Sequence, residues 1–238
     1  ENWDETVAAH EAAQRRWAAY AKSYGIFAGA DESDDRVGYD ASGVGAQAGI
    51  DYAFTDDLLA GLAVGYAYTD VDAEGADIRT TADTLRFGPY ASWRRGRFAV
   101  VGSVSLGLHF YDVDRSTVVA SSNADFEAWD LTTYAGAGYT FELERLSITP
   151  EYSLQHTYFK RDGYTENGLD GLSYGGYDDH ALLQRVGVRL RTTFSTDAAT
   201  FTPELYAGWQ HDYLNDTGSV ATAFRKPTFL ESYLRLPI

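Results

Sequence analysis

Cysteine is absent from the 238 residues, which excludes a disulfide framework and any thiolate metal site. That absence is compatible with a protein of the cell envelope. Methionine is absent too, even at position 1, so the chain reads as a mature product or a fragment from which any signal peptide has been removed. Basic residues are outnumbered: 19 Lys and Arg against 35 Asp and Glu leave a net charge of -16. With no basic stripe to offset that excess, nucleic acid is not an expected partner. No apolar run approaches the roughly 20 residues that a membrane helix requires. This excludes a helical membrane protein but not a membrane barrel, whose strands are only half apolar. There is no Gly-rich phosphate loop, no HExxH and no nucleophile elbow, so no cofactor, no metal and no catalytic residue are expected.

What is present suits β structure. There are 18 Tyr, 12 Phe, 5 Trp and 23 Gly, a combination that favours strands with close backbone approaches. In GVGAQAGIDYAF, positions 43–54, Val44, Ala46, Ala48, Ile50, Tyr52 and Phe54 share one strand face, and Gly43, Gly45, Gln47, Gly49 and Asp51 share the other. After a Thr55-Asp56-Asp57 turn, Leu58, Leu62, Val64, Tyr66 and Tyr68 continue the apolar face. A period of two over such lengths predicts a hairpin of long strands.

The same alternation recurs down the chain and predicts about ten strands. The first lies near Tyr24–Ala30 and the last near Phe229–Leu236. Between them, apolar sets run through Leu85–Trp93, Phe98–Phe110, Leu131–Phe141, Leu146–Tyr158, Leu182–Phe194 and Phe201–Tyr213. Connections alternate. Short turns fall at Asp56-Asp57, Arg95-Gly96, Glu144-Arg145 and Asp197-Ala198, and long loops at 31–42, 70–83, 112–127 and 160–179. Short turns at one end and long loops at the other are the up-and-down pattern of outer-membrane barrels. Residues 2–21 are Ala-rich and free of Gly and Pro, and they predict a helix too polar to face lipid.

Polar and charged residues fall on the Gly-bearing face: Gln47, Asp51, Arg86, Arg94, Arg97, Glu142, Glu151, Arg185, Arg189, Arg191, Glu204, Gln210, Asp212, Glu231 and Arg235. Gln47, Asp51, Arg86, Glu151, Arg185, Arg189, Arg191 and Glu204 are the candidate lumen-lining set. The three Arg of one strand are expected to form an ion-pair lattice with Glu151 and Glu204 of its neighbours. On the apolar face, Tyr52, Tyr66, Tyr68, Trp93, Phe110, Tyr139, Tyr158, Trp209 and Tyr213 sit near strand ends, where an interfacial aromatic girdle belongs. His156 and His211 fall on that apolar face, and His109 on the polar one. The acidic groups of the loops (Asp31, Glu32, Asp34, Asp35; Asp70, Asp72, Glu74, Asp77; Asp178, Asp179) read as a solvated rim, with divalent-cation binding as the alternative. The sole local pairing suggestive of hydrolysis is His180 with Asp178 and Asp179.

Taken with Tyr24-Gly25, Gly38-Tyr39-Asp40, LLAGLAVGYAYT, LRFGPYASW, YAGAGYTFE, LSITPEYSLQHTYF and FTPELYAGWQHDYL, in that order, the chain resembles the translocator β-domain of the type Va autotransporters. The resemblance implies a Gram-negative outer-membrane barrel of twelve strands with extracellular long loops and a linker helix in its pore. On that reading residues 1–22 are the linker helix and 23–238 the barrel. It also implies a passenger N-terminal to the barrel, contact with lipid and lipopolysaccharide, folding by the barrel assembly machinery, and a monomer. The family usually ends on an aromatic residue, whereas this chain ends Leu236-Pro237-Ile238 and shows about ten strands at period two, so a C-terminally truncated barrel and a smaller variant are both open. Alternatives to the translocator are a small porin or adhesin barrel and, behind these, a barrel hydrolase.

Overall fold

The computed structural model describes residues 16–30, 38–73, 77–116, 121–144, 146–168, 171–195 and 200–214. Its elements are β1 (Trp17–Ala30), β2 (Tyr39–Ala53), β3 (Leu58–Ala73), β4 (Ile78–Arg95), β5 (Phe98–Ser116), β6 (Ser121–Tyr139), β7 (Phe141–Leu143), β8 (Leu146–Arg161), β9 (Tyr164–Thr165), β10 (Ser173–Tyr174), β11 (Tyr177–Thr192), β12 (Phe194–Ser195), β13 (Thr200–Phe201) and β14 (Glu204–Asp212). One antiparallel sheet runs β1-β2-β3-β4-β5-β6-β8-β11-β14, with β7 on β8. Each long strand pairs with its sequence neighbour, and the sheet curls into a half-barrel. Among the described residues β1 and β14 are its edges.

Side-chain alternation explains the curl. On β5, Ala99, Val101 and Ser105 are buried while Phe98, Val104 and Phe110 are exposed. Odd positions therefore face the inside of the curl and even positions the outside, and the pleat carries that assignment along the whole strand. The inner face holds a small apolar cluster of Leu59, Ala63, Tyr90 and Val101, flanked by Tyr20 and Tyr134. The rest of it is largely polar, and the outer face carries the large apolar side chains. That is the reverse of a soluble barrel.

Two expectations are corrected. The helix over 2–21 ends in a strand instead: β1 starts at Trp17 and pairs with β2 from Trp17↔Tyr52 to Ala30↔Tyr39. Helix propensity in an Ala-rich run is weak, and a full ladder of inter-strand bonds overrides it. The remainder of that helix, 2–15, lies outside the described residues. The long loops at 70–83 and 112–127 are mostly strand, since β3 and β4 continue to Ala73 and Ile78 and β5 and β6 to Ser116 and Ser121. Their outer positions carry Asp70, Asp72, Asp112 and Asp114 while Val71, Ala73 and Val113 turn inward, so the apolar face that marks these strands in sequence is interrupted there. At the other end Gly96, at φ 61, turns β4 into β5 in a left-handed conformation that suits glycine. The acidic residues at 31–35, Glu74 and the strand expected near Phe229–Leu236, with Glu231 and Arg235, lie outside the described residues.

Candidate functional site

The inner face is built from polar side chains that the alternation sends inward. Gln47 is buried and donates from Nε2 to the Tyr20 hydroxyl at 3.1 Å. Asp51, half-buried, lies on the same face of β2. The glycines beside them make room for rings. A Cβ on Gly45 would come within 2.3 Å of the Tyr24 ring, and one on Gly49 within 2.5 Å of the Tyr20 ring. Tyr24 and Tyr20 of β1 lie directly across from those glycines, so the small residues of GVGAQAG let two tyrosines lie flat on the wall.

The expected lattice forms around two of the three Arg of β11, Arg189 and Arg191. Arg189 donates to Glu151 of β8, Nε to Oε1 at 2.6 Å, and from Nη1 to Glu204 of β14. Arg191 Nη2 donates to Glu204 Oε2 at 2.9 Å. Arg185 instead donates from Nε to Gln210 Oε1 at 2.7 Å. The guanidinium of Arg189 also lies over the Tyr206 ring, 5.4 Å from its centre, a favourable cation–π position. Positive and negative groups thus alternate across three strands, and Arg189, Arg191, Glu151 and Glu204 each have a partner of opposite sign.

A second inner-face network joins residues that the sequence does not pair. Arg86 Nη1 donates to Asp130 Oδ1 at 2.8 Å, and Nη2 donates to Oδ2. Asp130 also meets His109 Nε2 at 2.7 Å and accepts from Thr132 Oγ1 at 2.8 Å. His109 Nδ1 lies 2.9 Å from Thr84 Oγ1. Arg86 is 5 % and Asp130 3 % exposed. Arg86 is an expected lumenal residue, and its partner Asp130 stands just before Leu131, where the apolar alternation begins, although β6 itself starts at Ser121. The signal available was parity: Asp130 shares a face with Thr132 and Tyr134.

At the long-loop end, the hairpin of β9 and β10 folds onto the inner face. Its Asn167 exchanges backbone hydrogen bonds with Asn123 of β6 at 2.7 and 3.0 Å. Rings stack from the wall into the hairpin: Tyr111 on Phe126, Phe126 on Tyr164 at 4.3 Å between centroids, and Tyr164 on Tyr174. The Glu166 carboxylate is buried against Arg115, whose Nη2 donates to Oε2 at 2.5 Å, and it also accepts from the Leu172 N–H at 3.1 Å. These hydrogen bonds, chiefly those from Arg115, hold its carboxyl below the ordinary glutamate value.

On the outer face, aromatic side chains form two rows. Trp17, Tyr52, Phe54, Trp93, Phe98, Tyr139 and Phe141 lie at the turn end, with Trp17–Tyr52 and Tyr139–Phe141 ring centroids 4.8 Å apart. Tyr66, Tyr68, Phe110, Trp129, Tyr158, Trp209 and Tyr213 lie toward the loop end. Phe98 and Phe110 stand in opposite rows of the same strand. Twelve steps at about 3.3 Å, tilted about 45°, span roughly 28 Å, close to the roughly 25 Å apolar band of a membrane barrel. Between the rows the surface is aliphatic, as at Leu62, Val64, Val104, Val186 and Val188, all substantially exposed.

The other expected residues are placed as follows. Arg94 lies on the inner face, and Arg97 pairs at the turn end with Glu142 at 3.7 Å, both largely exposed. Asp212 accepts from the Leu182 N–H at 3.2 Å. Asp70 is engaged by Arg79 rather than free on a loop. His211 stacks on Trp209 on the outer face. His180 does not meet a carboxylate through its ring: its partner is His156 of β8, so the His–Asp pairing suggested by sequence does not form. Among the described residues no helix is long and apolar enough to cross a membrane, which says nothing of a β-barrel.

Comparison with known proteins agrees with this geometry. A family model described as the autotransporter beta-domain matches residues 19–232. Two proteins of Serratia marcescens, each named an extracellular serine protease, are 27% and 25% identical over 201 and 200 residues. Those matches cover 82% of this chain but 19% of each relative, so the chain spans about a fifth of the length of these curated relatives. Among solved structures, the beta domain of the Bordetella autotransporter BrkA is similar with a TM-score of 0.69 at 18% identity, covering 84% of this chain and 80% of that one. The translocator domain of the autotransporter NalP from Neisseria meningitidis gives 0.68 at 18% identity, covering 88% and 78%.

Proposed function

The chain belongs to the autotransporter beta-domain family and is an outer-membrane translocator barrel, and from that premise we propose that it anchors a passenger N-terminal to it and assists that passenger's export to the cell surface. The observation that carries the reading is the inversion of the two faces. An aliphatic outer band between aromatic rows suits lipid, while an inner face of paired charges and tyrosines tolerates a polar chain. A backbone in transit would stay out of lipid and keep its hydrogen-bonding groups beside water or polar side chains. With no nucleotide site in the sequence, the energy for export is assigned to folding of the passenger outside.

In this reading Gln47, Asp51, Arg86, Glu151, Arg185, Arg189, Arg191 and Glu204 line the passage. Tyr52, Tyr66, Tyr68, Trp93, Phe110, Tyr139, Tyr158, Trp209 and Tyr213 contact the lipid interface and lipopolysaccharide. Insertion by the barrel assembly machinery, long loops outside the cell and a monomeric state belong to the same proposal. The family is a transport barrel, and the proposal assigns this domain no catalytic residue. The relatives named as proteases motivate a protease passenger as the first cargo to try.

The test is a reporter placed N-terminal to the barrel in the protein's own reading frame, followed by protease treatment of intact cells. Loss of the reporter from outside supports translocation. A protected reporter, with the barrel recovered from the outer membrane, would leave a porin or structural barrel in its place.

A further inference from the structure

We infer that His156 and His180 form a binding site for a single borderline divalent transition-metal ion, such as Zn²⁺ or Cu²⁺, on the outer face of the barrel. The register of β8 on β11 pairs His180 with Tyr158 and Leu182 with His156. The two histidines are therefore diagonal neighbours on one face, within reach of each other across the strands. His156 Nε2 and His180 Nδ1 are 3.1 Å apart, with ring planes at 30°. Neutral imidazole nitrogen is a favoured ligand for these metals. Two nitrogens at that separation, each about 2.0–2.1 Å from one ion, subtend roughly 100° at it, near the tetrahedral value.

The surroundings favour an ion. β8 is paired on both sides, by β6 and β11, and β11 by β8 and β14, so both ligands ride on fixed strands. His180 is exposed and His156 half-exposed, and His180 stands opposite Tyr158 of the loop-end aromatic row, so an ion reaches the pair from the headgroup side of the interface. Asp178 lies two residues along the same face and adds negative charge, opposite Lys160. Among the described residues no group of three or more metal-binding side chains exists, so this is a two-ligand site and water completes the shell. On binding, the ring that donates in the His–His hydrogen bond moves its proton to its other nitrogen, and both lone pairs turn to the ion. The ion then ties β8 to β11 at the level of the loop-end aromatic row.

The full chain, folded in detergent micelles, is titrated with Zn²⁺ by calorimetry and with Cu²⁺ by tryptophan fluorescence. The optical reporter is built in: Trp129 packs on Tyr158 at 5.3 Å, and Tyr158 on His180 at 4.7 Å. We expect one equivalent bound per chain, with quenching by Cu²⁺. His156→Gln and His180→Gln should each weaken binding by about tenfold or more, equivalent to roughly 1.4 kcal/mol, whereas His211→Gln should leave it unchanged. All three variants should keep the heat-modifiable gel mobility of a folded barrel, because these side chains lie on the exposed face. Wild-type affinity in either His156→Gln or His180→Gln, or no saturable binding of Zn²⁺ by the parent chain, overturns the assignment.

Discussion

Replacing Asp130 by alanine should be among the most damaging single changes in the inner face. Asp130 is 3 % exposed and answers Arg86, which is 5 % exposed. It also meets His109 at 2.7 Å and Thr132 at 2.8 Å. The wall is shaped around this pair: a Cβ on Gly107 would lie 2.2 Å from Asp130 Oδ2 and 2.7 Å from Arg86 Nη2. Removing one partner of a buried pair leaves a charge without its main compensation and costs about 3–5 kcal/mol. Replacing both, as in Arg86→Met with Asp130→Leu, should recover most of that loss, because well-packed apolar side chains avoid the desolvation that a buried pair must offset. The assay is urea unfolding of the barrel refolded in micelles, followed by tryptophan fluorescence and by heat-modifiable gel mobility. A loss below about 1 kcal/mol for Asp130→Ala is the range of solvated pairs. It would mean that water reaches Arg86 freely and that the buried-pair reasoning fails.

Other consequences can be checked in the same system. Arg or Lys in place of Val104, midway between Phe98 and Phe110 on the aliphatic outer band and 43 % exposed, should cost about 2–4 kcal/mol in a lipid bilayer; a neutral result would refute the lipid-facing assignment. Gly45→Val should displace the Tyr24 ring and slow refolding or lower the urea midpoint, whereas Tyr24→Ala in the same background should relieve most of the clash. The folded value of the Glu166 carboxyl is depressed, so its contribution to docking the β9–β10 hairpin is full above the ordinary value of 4.5 and is lost as the pH falls through the lowered one. Amide exchange in the hairpin, corrected for intrinsic rate, should rise on acidification, and Glu166→Gln should raise it already at neutral pH; equal protection in parent and variant would sink this account.

How much of this was legible from sequence depends on what kind of information each feature needs. Face assignment needs parity alone, and parity survives errors in strand ends. Val44 to Phe54, Phe98 to Phe110 and Leu146 to Tyr158 all turn outward as their alternation predicts. The Arg189–Glu151–Glu204 lattice was legible too, because charges of opposite sign sat on the same face of neighbouring strands. Strand length was not, since beyond the apolar band Asp70, Asp72, Asp112 and Asp114 put carboxylates on the outer face where the apolar side chains had been, and only backbone pairing carries those strands on. Partner identity needs register as well as parity. Arg86 and Asp130 are separated by 44 residues, and a slip of two residues at either intervening strand pair would keep every side chain on its face while giving Arg86 a different neighbour. The same holds for His156 and His180, which are close in space because Leu182, not His180, stands opposite His156. Constellations that depend on register are therefore where this structure adds most to its sequence. They are also where a double substitution across strands discriminates most sharply, since the two changes couple only if the pairing is the one observed.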